Sequence, residues 1–194
     1  PSIVVADELA QFMVDNGMQI NVPEYCFDEK QDDSEYEMIV NISDWHIGYI
    51  IDNCKGNYFN WEISNIRVDR LIEEIYKYVK LYGITKIHVV NTGDTIEHNY
   101  LRKNQSQFCE FVQSEQINKA IELIYRFLVA LCKDCSLDYR SIAGNHDRSN
   151  GDNKANLKGD NADTIISRQL YKYNEIAKQN RGVQNNRLTI YESD

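Results

Sequence analysis

The chain has 194 residues, of which 42% are hydrophobic, and its 21 basic and 30 acidic side chains give a net charge of −9. This composition excludes disordered and fibrous classes and favours one globular domain. No apolar run approaches the roughly 18 residues of a membrane span, and the acidic start does not resemble a secretory signal, so we expect a cytoplasmic protein with no membrane partner. Five cysteines form an odd number in a chain long enough to bury a core, which favours reduced thiols.

The negative charge is concentrated at the beginning of the chain. Residues 1–44 contain eleven acidic side chains and one basic side chain, which leaves residues 45–194 with a net charge of +1. We therefore predict an acidic peripheral segment over residues 1–35 and a folded domain over residues 36–194. Because this domain is close to neutral, the acidity of the whole chain does not exclude an anionic substrate.

Short apolar runs alternate with helical periodicity from residue 36 onward. The run Met38–Ile42 predicts a strand that is buried on both faces. Apolar residues at three- and four-residue spacing predict a helix over residues 66–82, which ends at Gly83. A strand over residues 84–90 and a helical pattern over residues 108–132 come next.

The same alternation continues with a strand over residues 137–143, a polar loop and a helix over residues 164–178. This helix is expected to turn five apolar side chains toward the core: Ile165, Ile166, Leu170, Tyr173 and Ile176. Strands that alternate with helices of this length are joined by right-handed crossovers, so the pattern predicts an α/β fold with a mainly parallel sheet.

Polar side chains follow each of the three predicted strands. Residues 43–46 read Ser-Asp-Trp-His, residues 91–98 read Asn-Thr-Gly-Asp-Thr-Ile-Glu-His, and residues 143–147 read Ala-Gly-Asn-His-Asp. In open α/β sheets, ligands bind beyond the carboxyl ends of the strands. We therefore expect the three loops to converge on one crevice.

The residue types in these loops suit divalent metal ions, which take carboxylate, amide and imidazole ligands. Asp44 and His46 are two residues apart, so an extended chain would place them on one face, where they could grip one ion. Asp94 could bridge that ion to a second one, to which Asn145 could contribute a carbonyl oxygen. Two ions about 3.5–4 Å apart clamp a phosphoryl group and activate water for the hydrolysis of phosphate esters.

Three motifs in this order resemble the first three signature motifs of the calcineurin-like metallophosphoesterases: Asp44-x-His46, Gly93-Asp94-x-x-Glu97 and Gly144-Asn145-His146-Asp147. The resemblance implies a four-layer α/β/β/α sandwich, of which residues 36–150 would supply the first βαβαβ half. It also implies a dinuclear metal centre, with manganese as the first choice and iron, zinc, magnesium or nickel as alternatives. In that centre Asp44 and His46 would bind the first ion, Asp94 would bridge, and Asn145 would bind the second.

The resemblance assigns a different role to the last two residues of the third motif. His146 would lie beside the scissile phosphate, where it would stabilise the transition state or protonate the leaving oxygen. Asp147 or Asp44 would orient the His146 ring, and Glu97 would play a supporting or structural role.

Within the family, the residues of the first motif (Asp-x-His-Ile-Gly) and of the third (ending Asn-His-Asp-Arg) resemble those of SbcD-type exonucleases and related phage DNA-repair nucleases. This similarity implies a metal-dependent phosphodiesterase that hydrolyses DNA, with a homodimer or an ATPase as its partner. Two alternatives stay open: a phosphoesterase for a small substrate, such as a phosphomonoester or a cyclic nucleotide, and an inactive scaffold with the same fold.

The family also uses histidines from a distal half, whereas all four histidines here precede residue 150. We therefore expect the domain to be incomplete at its C-terminus and this 194-residue chain to be inactive alone.

Other conspicuous residues have simpler explanations. His88 lies inside a predicted strand and is expected to be a core histidine. His98 is expected to be structural or solvated rather than a substrate contact. Cys132 and Cys135 have no partner pair, so we expect thiols rather than a zinc site.

Overall fold

The fold is built on a four-stranded parallel sheet with three helices. The computed structural model describes residues 34–180 and 187–193, so the predicted acidic segment 1–35 lies almost wholly outside the described residues. In chain order the elements are β1 (Met38–Ile42), β2 (Ile51–Cys54), β3 (Asn57–Phe59), α1 (Trp61–Tyr82), β4 (Lys86–Asn91), α2 (Gln113–Leu131), β5 (Ser136–Ser141), α3 (Ala162–Asn180) and β6 (Leu188–Ile190). The predicted α/β class is confirmed.

The order of the strands explains where the helices lie. The sheet runs β1-β4-β5-β6 and every neighbouring pair is parallel. Since each crossover moves one strand in the same direction and crossovers are right-handed, all three helices pack on the same face of the sheet. That face carries the core, which includes Val40, Val89 and Tyr139.

The prediction that β1 is buried on both faces was wrong. Val40 and Ile42 are buried, but Ile39 is 74% exposed and Asn41 is also exposed. The cause is the placement of all three helices on one face, which leaves the other face of the sheet open among the described residues. The His88 side chain lies on this open face rather than in the core, with its Nδ1 2.9 Å from Asp138.

Two helices begin elsewhere than predicted. α1 begins at Trp61, five residues earlier than expected, because Asn60 caps it by accepting a 2.9 Å hydrogen bond from the Ile63 N–H. α2 begins only at Gln113, since Gln105–Phe108 forms a short 3-10 turn and the backbone at Val112 is extended. The apolar spacing was read correctly, but it does not mark where a helix starts.

The inward face of α3 was only partly predicted. Ile166 and Leu170 are fully buried as expected, whereas Ile165, Tyr173 and Ile176 are between 36% and 44% exposed. The rest of the buried stripe is polar, with Asp163, Ser167 and Asn174 among its members. A search for apolar periodicity could not find a stripe that mixes both kinds of side chain.

The structure adds a small antiparallel hairpin that the sequence did not predict. Strands β2 and β3 form a two-stranded sheet of their own between β1 and α1. The strands are short and mostly exposed, and the turn uses left-handed backbone at Asn53, Lys55 and Gly56. A hairpin with no buried face leaves no alternating apolar pattern.

Two further predictions concern the cysteine thiols and the membrane spans, here for the described part of the chain. Cys54, Cys109 and Cys132 are free thiols, and the Cys135 thiol donates a 3.3 Å hydrogen bond to the Ile84 carbonyl. Among the described residues, no helix combines the length and the apolar character needed to cross a membrane.

We expect Asn60→Ala to lower the free energy of unfolding by about 1 kcal/mol, because the Ile63 N–H loses the acceptor that caps α1. Urea denaturation followed by circular dichroism would measure the change. Asn60→Asp keeps a capping oxygen and should unfold at the wild-type midpoint. Equal midpoints for the alanine and aspartate variants would contradict the capping role.

Candidate metal and phosphate site

The three strand-end loops do converge. The strands end level with one another, because Ile42 is paired with Asn91 and Asn91 with Ser141. The first two loops are then joined by backbone hydrogen bonds from Asp44 N–H to the Gly93 carbonyl and from His46 N–H to the Asp94 carbonyl, both 3.1 Å long. The predicted crevice is therefore a joined set of loops rather than three separate turns.

Two glycines allow this close approach. A Cβ atom on Gly93 would lie 2.2 Å from the backbone nitrogen of Gly144, and a Cβ atom on Gly144 would lie 2.3 Å from Oδ1 of Asp94. Gly93 also has a left-handed φ of 98°. No other residue fits at either position without moving the backbone.

Several residues of the site adopt left-handed backbone conformations. The φ angles are 54° at Asp44, 43° at His46, 54° at Asp94 and 67° at His98. The chain is therefore not extended at Asp44 and His46, which was the condition for placing both side chains on one face. Non-glycine residues in this region store strain, and such residues concentrate where side chains must be aimed for function.

Asp44, His46 and Asp94 form a group that could hold a metal ion. One ligand atom from each lies within 4.8 Å of the others, and Nε2 of His46 is 3.6 Å from Oδ1 of Asp44. Two carboxylates and an imidazole are a suitable donor set for a divalent cation. The three residues thus fit the first ion that the resemblance implies.

Glu97 links the two histidines of the site. Its Oε2 is 2.8 Å from Nδ1 of His46 and 3.4 Å from Nδ1 of His146. Gln105 fixes Glu97 by donating a 2.8 Å hydrogen bond to its Oε1. Metal-bound histidines commonly face a carboxylate through their second nitrogen, so Glu97 is placed to orient His46.

The charges of this pair are coupled. Contact with Glu97 raises the pKa of His46 above its ordinary value, although burial opposes the rise. Burial alone would raise the pKa of Glu97, but the contacts with His46 and Gln105 outweigh it and the pKa is lowered. Glu97 is therefore a carboxylate whose negative charge is directed at the imidazoles.

A second group of possible metal ligands consists of His46, Glu97 and His146. It shares His46 with the first group but uses the opposite ring nitrogen. We consider the first group the better metal site, because Nδ1 of His46 and Nδ1 of His146 are already in contact with Glu97 at 2.8 Å and 3.4 Å. An ion would have to displace those contacts.

His146 is held firmly beside the candidate metal site. It is only 6% exposed, and its ring lies 4.6 Å from the His46 ring in an edge-to-face arrangement. Its backbone N–H donates to Oδ1 of Asp94 at 2.7 Å, and its Nδ1 is 2.7 Å from the Glu97 carbonyl oxygen. The structure thus brings His146 against the predicted bridging residue.

Asp147 does not orient the His146 ring as expected, since Glu97 contacts the ring nitrogen instead. Asp147 is completely buried, and its carboxylate accepts hydrogen bonds from the backbone N–H groups of Asp94, Thr95 and Gly144 at 2.8, 3.2 and 2.8 Å. Burial raises the pKa of Asp147, while the three donors stabilise its charged form. Asp147 joins the loop after β4 to the loop after β5 and thereby holds the residues of the site in position.

The structure places the remaining candidates less centrally. Asn145 is exposed on the third loop, and its backbone carbonyl accepts a 2.7 Å hydrogen bond from Nε of Arg148. The role of its side-chain oxygen as a metal ligand stays a prediction. His98 is 2% exposed, and its Nδ1 accepts a 3.0 Å hydrogen bond from the Tyr100 N–H. Burial lowers the pKa of His98, which favours a neutral, structural histidine.

Comparison with family models, with curated proteins and with solved structures finds no match to this chain. The resemblance to metallophosphoesterases therefore rests on the three sequence motifs alone and stays a prediction.

We expect Glu97→Gln to weaken Mn²⁺ binding by about 10- to 100-fold, because the carboxylate that faces His46 becomes neutral. Isothermal titration calorimetry of the variant and the wild type would measure the loss. Glu110→Gln changes an acid that lies outside this cluster and serves as the control for overall charge. Equal Mn²⁺ affinities in the Glu97 and Glu110 variants would contradict the orienting role.

Proposed function

We propose that this chain carries the metal-binding and phosphate-binding part of a metal-dependent phosphodiesterase that acts on nucleic acid. The observation that carries the proposal is the meeting of Asp44, His46 and Asp94 at the ends of two neighbouring strands, with His146 directly beside them. Bound divalent ions would polarise the phosphoryl group and activate water. The donor set, the strained backbone and the supporting carboxylates are all consistent with that chemistry.

Each residue of the site would have a separate role. Asp44, His46 and Asp94 would hold the cation, and Glu97 would keep both imidazoles in place. His146 would donate a hydrogen bond or a proton to a phosphate oxygen, since its Nδ1 is engaged by Glu97 and its Nε2 is the nitrogen left for substrate. Asp147 would act as a positioning residue.

The surroundings favour an extended, anionic substrate that carries aromatic bases. Tyr100 and Phe108 are 71% and 54% exposed on the loop that follows the second motif. Lys154 and Lys158 are exposed on the loop that follows the third motif, and Arg148 lies at its base. Exposed aromatic rings stack on bases and cations contact phosphates, so these two loops suit DNA better than a small phosphomonoester.

The open face of the sheet supports the proposal of a sandwich with a second layer. Parallel sheets are almost always covered on both faces, yet Ile39 and Ile142 are 74% and 61% exposed on or beside this sheet. A second sheet packed there would produce the α/β/β/α arrangement that the motifs imply.

The test compares three substrates in Mn²⁺: single-stranded DNA, bis-p-nitrophenyl phosphate and p-nitrophenyl phosphate. It should use this chain and, if the reading frame continues past residue 194, the complete protein that it encodes. We expect hydrolysis of the two diesters by the complete protein and little or none by this chain. Asp94→Asn and His146→Ala should each abolish it, whereas Asp52→Asn, on the exposed β2 strand, should not.

Hydrolysis of the monoester alone would favour the small-substrate alternative. Mn²⁺ binding without hydrolysis of any substrate would favour the scaffold. Near-normal rates in Asp94→Asn or His146→Ala would contradict the roles given to those residues.

A further inference from the structure

A cavity lies directly beside the candidate metal site and is not explained by it. Its volume is about 200 Å³, and Asp44 forms part of its wall. The other walls come from Trp45 in the first strand-end loop, Phe59 at the end of the hairpin, and Arg67 and Leu71 on α1. The unpredicted hairpin therefore contributes one wall of a half-open cavity at the edge of the site.

Most of the lining is aromatic or apolar, with Asp44 and Ser64 as polar members and the Arg67 cation at the rim. Trp45 is held in place by an edge-to-face contact with Phe127, with ring centroids 5.7 Å apart. The guanidinium of Arg67 lies over the Phe59 ring at 5.1 Å from its centroid. Flat, π-rich groups stack on aromatic rings and on arginine guanidinium planes, so such walls suit a planar heteroaromatic ligand.

The size of the cavity sets an upper limit on the ligand. Pockets for whole drug-sized ligands occupy roughly 300–1,000 Å³, so a cavity of about 200 Å³ accommodates one ring system rather than a complete nucleotide. Because Asp44 belongs to both the cavity and the metal-binding group, a ring in the cavity would be continuous with a phosphate at the site.

We propose that this cavity binds the nucleobase adjacent to the phosphate held by the strand-end loops. The inference rests on the proposed function for its biological meaning, but base binding itself requires neither metal nor phosphate. The base would lie between Trp45 and Phe59, and Arg67 would close the rim. Stacking of this kind tolerates all four bases, so the cavity would select unpaired over paired nucleotides rather than one sequence.

The test follows the two tryptophan indole N–H signals in ¹H–¹⁵N spectra of the 194-residue chain in the presence of EDTA. Trp45 lines the cavity and Trp61 does not, so Trp61 is an internal control. Thymidine should shift the Trp45 signal in a saturable way, and 2-deoxyribose, which has no base, should not. No saturable Trp45 shift with thymidine, or equal shifts with both compounds, would overturn the proposal.

Two variants test the location. Leu71→Phe fills the cavity and should weaken thymidine binding at least tenfold, whereas Leu81→Phe, at a 70% exposed position on the same helix, should leave it unchanged. The spectrum itself reports whether Leu71→Phe folds. Arg67→Ala alters only an exposed side chain and should weaken binding at least threefold. Wild-type affinity in both Leu71→Phe and Arg67→Ala would overturn the proposal.

The outcomes separate this inference from the proposed function. Thymidine binding without hydrolysis of bis-p-nitrophenyl phosphate by the complete protein would refute the phosphodiesterase and retain the base-binding cavity. Hydrolysis of that base-free diester without thymidine binding would refute the cavity and retain the phosphodiesterase.

Discussion

Asp147→Ala is expected to lower the free energy of unfolding by about 3–5 kcal/mol, or to prevent folding, because it leaves three backbone donors without an acceptor. The carboxylate is completely buried, so water cannot readily take its place. The loss should be larger than that of any single ligand of the site, since Asp147 joins the loop after β4 to the loop after β5. Urea denaturation followed by circular dichroism would measure it.

Asp44→Ala is the matched comparison. Asp44 belongs to the same site and is also an aspartate, but its side chain is 66% exposed. Its removal should change the free energy of unfolding by less than about 1 kcal/mol, as for surface substitutions in general. Similar stabilities for the two variants would show that Asp147 is not the structural support described here. Asp44→Ala should instead reduce Mn²⁺ affinity.

The convergence of the strand-end loops could be predicted from the sequence because its signal is local. Each strand-end cluster follows an apolar run directly, and parallel strands necessarily bring such clusters to one edge. The positions of Asp44, Asp94 and His146 after parallel strands therefore predict that these residues lie close together. What could not be expected is how each side chain is aimed, because that depends on left-handed backbone at Asp44, His46 and Asp94.

The roles of Glu97 and Asp147 show the limit more clearly. Both are acids within the motifs, and the sequence alone offers no way to decide which one faces an imidazole and which one binds backbone N–H groups. The choice is made by Gln105, which fixes Glu97, and by the loops that surround Asp147. The apolar pattern does not reveal the first contact, and the Asp147 contacts with Asp94 and Thr95 join loops that are distant in sequence. The cavity beside Asp44 was missed for a related reason, since its Phe59 wall belongs to a hairpin that leaves no apolar pattern.

A second buried acid, Asp163, should make the stability of the fold depend on pH. It is fully buried in the first turn of α3, and neither of its carboxylate oxygens has a hydrogen-bond partner among the residues that the structure describes. The hydroxyls of Ser141 and Ser193 lie near it and favour the charged form without completing a hydrogen bond. Burial dominates and raises the pKa of Asp163 from 3.8 to about 6.

The sign of the effect follows from that pKa. Between pH 3.8 and about 6 the folded state binds this proton and the unfolded state releases it, so the contribution of Asp163 to stability falls as the pH rises through this range. Above pH 6 the charged carboxylate costs the folded state at most about 3 kcal/mol. Asp163→Asn removes that cost, and the amide can also donate to the neighbouring hydroxyls.

We therefore expect Asp163→Asn to be more stable than the wild type by about 1–3 kcal/mol at pH 7.5 and to lose most of that advantage near pH 4. Urea denaturation of both proteins across this range would measure the difference, in which the titration of all other groups cancels. Asp134→Asn, at an exposed position after α2, should show no such trend. A constant difference between Asp163→Asn and the wild type from pH 4 to 7.5 would mean that Asp163 titrates alike in the folded and unfolded chains.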